Sequence, residues 1–150
     1  MQIPECFDKN DVAIKAGDLF IWHNFPYQKD KNIKSRPFVF LGRTEIHAIP
    51  FYFFMRTTTT KKHEGKIYFE LPKTEITCLD TDSRIDFSFK MNSFPLETMA
   101  VFKQDLNCIG KLPQYKVNEL IKMIEKDKYV SKITIKEIKN SFCNSGYIIK

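Results

Sequence analysis

The spacing of apolar and polar positions changes near residue 110. Before it, apolar residues come in strand-length runs or alternate with polar ones; after it, they fall three and four apart. The turn pair Gly17-Asp18 opens a strand over 19–23, which Phe25-Pro26-Tyr27 then breaks. A polar, lysine-rich loop over 28–35 follows. Arg36-Pro37 leads into the run Phe38-Val39-Phe40-Leu41, closed by Gly42, which has the composition of a buried strand. A proline is best tolerated at the start of such a strand, where a missing N–H does least harm. A third strand is predicted over 51–58, with shorter ones over 66–71 and 75–79. From Phe87 to Met91 apolar and polar residues alternate as in a half-buried strand. Short strands this close together predict a small barrel or a strongly bent sheet.

Beyond Gly110, Val117, Leu120, Ile121 and Ile124 fall at i, i+3, i+4 and i+7. This predicts an amphipathic helix over 114–125 with a lysine-rich outer face and Pro113 near its start. Residues 131–142 fit a helix through Ile135, Ile138 and Phe142, with Ser131 as a possible cap, although Ile133-Thr134-Ile135 also suits the start of a strand. Helix is the preferred reading. The expected organisation is one domain, with a barrel over about 12–110 and a helical tail over 111–150.

Composition changes this picture little. The chain has 150 residues, 43% of them hydrophobic and 28% charged, which is ordinary globular composition and argues against disorder. Its 14 phenylalanines and 6 tyrosines favour a sheet-rich core. The net charge of +6 suits a polyanionic partner, or simply a solvated lysine-rich surface. Cys6, Cys78, Cys108 and Cys143 form no C-x-x-C pair and no zinc-spaced cluster, so reduced thiols in a cytoplasmic protein are expected, with no metal or other cofactor. No apolar run is long enough to span a bilayer.

Three pieces of sequence together resemble the MazF/PemK family of toxin endoribonucleases. The first is Gly17-Asp18-Leu19-Phe20-Ile21-Trp22 with Phe25-Pro26, similar to that family's opening strand and turn. The second is Arg36-Pro37-Phe38-Val39-Phe40-Leu41 after a polar loop. The third is Phe53-Phe54-Met55-Arg56-Thr57-Thr58, an apolar strand ending in hydroxyl residues. Order and spacing agree over 17–58. The resemblance implies a β-rich α+β fold: a small SH3-like β-barrel with C-terminal helices, usually a homodimer. It also implies metal-independent cleavage of single-stranded RNA in the cytoplasm, and a cognate antitoxin protein that covers the site. The 2′-hydroxyl would attack the phosphate, leaving 2′,3′-cyclic phosphate and 5′-OH ends.

Such cleavage needs a base for the 2′-OH, cations or donors for the phosphoryl oxygens, and an acid for the leaving oxygen. Arg36 is the leading candidate, because a guanidinium offers phosphate a planar fork of donors and stays charged. Thr57 and Thr58 are candidate hydroxyl donors, and strand alternation lets only one of them face a groove. His23 is a candidate acid or base. Lys90 lies where the family usually has arginine. Lys29, Lys31 and Lys34 fit phosphate tracking, Tyr27 fits base stacking, and Arg56 and Asn92 complete the expected RNA contacts. Arg84 is a further cation, and Asp86 and Glu97 are available carboxylates that nothing local marks out.

The chain also departs from the family pattern. Lys31 and Lys34 stand at positions where Glu and Gly are common, and Lys90-Met91-Asn92 replaces an Arg-x-Asp. Asparagine cannot accept a proton near neutral pH. The base is therefore open among His23, Asp30 and a residue of a neighbouring subunit. Two other readings stay open: a nucleic-acid-binding module without catalysis, and a peptide-binding module on the same barrel.

Overall fold

The computed structural model describes residues 14–23, 36–46, 49–59, 67–87, 91–128 and 130–149. Seven strands form one curled antiparallel half-barrel. They are β1 (Asp18–Trp22), β2 (Pro37–Ile46), β3 (Ile49–Thr58), β4 (Tyr68–Leu71), β5 (Ser83–Asp86), β6 (Asn92–Pro95) and β7 (Leu106–Lys111). The order across the sheet is β4-β5-β3-β2-β1-β7, with β6 also paired to β3. Three α-helices are present among the described residues: α1 (Leu96–Phe102), α2 (Gln114–Lys126) and α3 (Lys132–Asn144).

Both faces are covered over 38–41 of β2 and 51–55 of β3, which is why those parts read as continuous apolar runs. Leu19, Val39, Leu41, Phe53, Met55, Phe69 and Ile85 pack with Val117, Leu120, Ile124, Ile138 and Phe142, so α2 and α3 close one face. On the other face Phe20, Trp22, Phe38, Phe40, Tyr52, Phe54 and Phe94 gather with Leu96 and Met99 of α1. Trp22 is the centre of this aromatic layer, with ring centroids 4.9–5.6 Å from those of Phe94, Phe54 and Phe38. Tilted and edge-on rings of this kind add stabilisation beyond the area they bury.

Gly42 fixes how α3 lies on the sheet. The β2–β3 register slips between Phe40 and Gly42, which leaves Leu41 as the extra residue of a bulge. Gly42 has φ +130°, and a Cβ there would lie 2.3 Å from the Cβ of Ser141. The missing side chain lets the Ser141 hydroxyl reach the Arg43 backbone, accepting from its N–H at 3.2 Å and donating to its carbonyl at 3.4 Å. Next to it, the Ser145 hydroxyl accepts from the Ala16 N–H at 3.0 Å.

The strands expected over 19–23, 38–41 and 51–58 are present, and β2 extends five residues beyond Leu41 to Ile46. Both expected helices form. The Ser131 hydroxyl caps α3 by accepting from the Thr134 N–H, which settles that segment as helix.

One strand expectation fails. Residues 75–79 form turns: the Pro72 carbonyl accepts from the N–H groups of Glu75 and Ile76, and the Ile76 carbonyl accepts from Leu79. The buried residues there, Ile76 and Leu79, are three apart, so the spacing is that of a turn and not of a strand. The strand expected over 87–91 is described only at its two end residues. The pairing segment is Ser83–Asp86, and Phe87 is a turn residue whose N–H donates to the Ile67 carbonyl. Residues 88–90 lie outside the described residues.

Candidate functional site

Strand alternation sorts the expected site residues between the two faces. Phe53 and Met55 point to the helices, Tyr52 and Phe54 to the aromatic layer. Continuing the alternation puts Arg56 and Thr58 on the aromatic side and Thr57 on the helix side. Thr57 is accordingly buried, opposite Ile85, and its hydroxyl donates to the Pro37 carbonyl at 2.8 Å. That hydroxyl ties β3 to the start of β2. Thr57 therefore lies on the opposite face of the sheet from Arg56 and Thr58.

Arg36, Arg56, Thr58 and Asn92 do share one. Arg56 is opposite Phe38 in the β2–β3 ladder, and its guanidinium carbon lies 5.9 Å from the Phe38 ring centroid. Arg36, two residues before Phe38, continues the same side. Burial lowers the pKa of Arg56 below its ordinary value, and the neighbouring charge of Arg36 lowers it further. Asn92 lies opposite Phe54, one step along that face from Arg56. The result is two guanidinium groups beside a wall of aromatic rings, with an amide and a hydroxyl within the same patch of sheet.

β5 and β6 both pair with the same edge of β3 but not continuously. β5 is opposite Thr57 and Thr58, and β6 is opposite Phe51 to Phe54. Arg56 sits at the break between them. Extending the Thr57–Ile85 pairing by one residue puts Asp86 opposite Arg56, on the same face. Sequence reasoning recorded Asp86 as a carboxylate without distinction. Its signal is the register, which only the fold supplies.

Arg84, a further cation of the sequence, contacts β4 and the end of β3. It lies opposite Thr58, its Nε is 3.1 Å from Oε2 of Glu70, and its Nη1 donates to the Thr59 carbonyl at 2.7 Å. Glu70 in turn offers its backbone carbonyl to the buried Lys116 ammonium at 2.9 Å, which also stands 5.3 Å from the Phe69 ring centroid. This chain of contacts fixes β4 and β5 against α2.

His23 follows Trp22 at the end of β1, exposed, with its N–H donating to the Asp105 carbonyl at 2.9 Å. β1 neighbours β2, so His23 and Arg36 lie at the same end of the sheet. Tyr27, Lys29, Asp30, Lys31, Lys34 and Lys90 lie outside the described residues. Among the described residues no group of three or more His, Cys, Asp or Glu gathers as a metal site would require. No described helix is long and apolar enough to cross a membrane.

Fold and site together define a β-rich α+β protein whose curled sheet carries a cationic patch beside an aromatic layer. No protein-family model matches the chain, and no curated protein matches it.

Proposed function

We propose that this chain is a metal-independent, single-strand-specific endoribonuclease toxin, built on an SH3-like barrel of the MazF/PemK kind. Its site is the face that carries Arg36, Arg56, Thr58 and Asn92. The single observation that carries the reading is the placement of Arg36 and Arg56 side by side on one half-buried face. Two like charges held together in a partly desolvated place favour an anion between or above them, and a bridging phosphate fits two guanidinium forks. Thr58 and Asn92 supply neutral donors for the remaining phosphoryl oxygens.

In this reading the 2′-hydroxyl of the substrate attacks the adjacent phosphorus, and the bond to the 5′-oxygen of the next nucleotide breaks. Arg36 and Arg56 stabilise the charge that builds on the non-bridging oxygens. Asp86 takes the 2′-OH proton, the part left without a residue when Asn92 stands in place of an aspartate. His23, exposed at the same end of the sheet, supplies the proton to the leaving oxygen. Catalysis follows from positioned charges alone and runs in the presence of a chelator. The cytoplasm, an antitoxin partner and a homodimer belong to the same reading.

Incubating a long single-stranded RNA with the protein in EDTA tests it. Cuts at a short repeated sequence, with cyclic phosphate and 5′-OH ends, are expected. RNA that is bound and stays intact would favour the binding module without catalysis.

A further inference from the structure

One outer strand of the sheet carries a thiol, and a turn segment from the other side of the sheet brings a second thiol against it. β4 and β7 are the outer strands of the path β4-β5-β3-β2-β1-β7. The turn segment that follows β4 crosses to β7 and sets Cys78 against Gly110: a Cβ on Gly110 would lie 2.6 Å from the Cys78 sulfur. Only a residue without a side chain leaves room for the thiol there. Cys108 sits two residues before Gly110 on the same strand, and its thiol points to the Gly110 carbonyl at 3.7 Å. The β1–β7 register slips between the positions opposite Leu19 and Phe20, so Ile109 is an extra residue, with Cys108 opposite Phe20 and Gly110 opposite Leu19. Both sulfurs thus neighbour Gly110, Cys78 beside its Cα position and Cys108 beside its carbonyl, and they are near enough for the charge of Cys108 to act on Cys78.

We propose that Cys78 and Cys108 form an oxidant-dependent disulfide that ties this turn segment to β7. The inference is independent of the RNA-cleaving reading. With hydrogen peroxide as oxidant, the thiolate of one cysteine attacks the peroxide and becomes a sulfenic acid, releasing one water. The second thiol displaces a further water as the S–S bond forms. Two thiols lose two electrons and two protons, and one peroxide becomes two waters.

Partial desolvation raises the half-buried Cys78 thiol and, although its residue is exposed, the Cys108 thiol above the usual cysteine range, and Asp18 adds to the effect at Cys108. The reaction is thus slow at neutral pH and is best followed at about pH 8.5. Cys143, exposed on α3, serves as an internal comparison.

The reduced full-length protein is treated with hydrogen peroxide under native conditions, alkylated, digested and analysed by mass spectrometry. The expected product is an intrachain cross-link, whose main cross-linked peptide joins Cys78 to Cys108. Closing a loop of about 30 residues should raise the melting temperature by about 5–10 °C, reversibly with dithiothreitol. The cross-link and the shift should vanish in Cys78→Ser and in Cys108→Ser, and persist in Cys143→Ser and Cys6→Ser. Oxidation in urea should give mixed pairings instead. Dominant pairing through Cys6 or Cys143, linkage mainly between chains, or no Cys78–Cys108 peptide from the folded protein would overturn the proposal.

Discussion

Replacing Gly42 by alanine tests how α3 is held on the sheet. Two costs arise at once. The first is conformational: at φ +130° an L side chain is strained by about 1–3 kcal/mol. The second is steric. The new Cβ would stand 2.3 Å from the Ser141 Cβ, well inside ordinary contact, and that atom is fixed to a helix backbone and cannot rotate away. Overpacking of this type costs about 1–3 kcal/mol. The sum is about 2–6 kcal/mol, a large part of the stability of a small domain. Urea unfolding followed by circular dichroism gives the value directly. Changing Ser141 to glycine as well should recover the steric part and leave the strain. The two changes should then be non-additive by at least about 1 kcal/mol in a double-mutant cycle. A cost below about 1 kcal/mol for Gly42→Ala, or simple additivity with Ser141→Gly, would refute the close helix–strand contact.

Other expectations follow from single contacts. Thr57→Val removes the hydroxyl that donates to the Pro37 carbonyl, so it should lower stability by about 1–2 kcal/mol in the same unfolding assay. RNA affinity measured at equal folded fraction should not change, because Thr57 lies on the opposite face from Arg36. Ser131→Ala should cost about 1 kcal/mol through loss of the α3 cap. The Tyr147 phenol donates to the Leu112 carbonyl at 2.6 Å, and burial, with a smaller effect of Asp18, pushes its pKa from 10.0 up to about 12. Below pH 10 the phenol is neutral in both states. Between about pH 10 and about 12 the unfolded chain ionises while the folded chain does not, so stability falls across that window. Tyr147→Phe should be less stable at neutral pH and should lose less between those pH values; an unchanged slope would contradict the assignment. Arg36→Ala and Arg56→Ala should each weaken binding of labelled single-stranded RNA and reduce the salt slope by about one.

Local chemistry made much of the fold legible in advance. The 117, 120, 121, 124 stripe specified α2 because one face of that helix is buried and the other solvated. Arg36-Pro37 marked the beginning of β2, whereas Gly42, read as the end of that strand, is the site of a bulge through which β2 continues. What the pattern hid has physical reasons. In β7 the bulge at Ile109 breaks the two-residue alternation, and the strand is half exposed, so no strand period survives there. The seven residues of α1 are too few for a helical period to stand out from the strands around them. Residues 75–79 carry the apolar composition of a strand, but the Pro72 carbonyl gathers their N–H groups into turns.

The candidate site divides in the same way. Arg36, Arg56 and Asn92 were visible as types of residue in a familiar order. Thr57 and Thr58 could be separated only in principle, since alternation says that one faces each way and burial decides which. Asp86 carried no mark at all, because its relation to Arg56 depends on pairing between strands almost thirty residues apart. Cys78 and Cys108 were unremarkable in spacing for the same reason.

The most direct test of the Arg36–Arg56–Asp86 face is a single-turnover comparison of three proteins on one end-labelled RNA in EDTA, with binding measured in parallel. The wild type should bind and cut. Asp86→Asn keeps the shape and the cationic patch, so it should bind about as well and cut about a hundredfold more slowly or worse. Arg36→Ala should lose both affinity and rate. If Asp86→Asn cuts like the wild type, Asp86 is not the base; if Arg36→Ala binds and cuts undiminished, the site lies elsewhere on the protein.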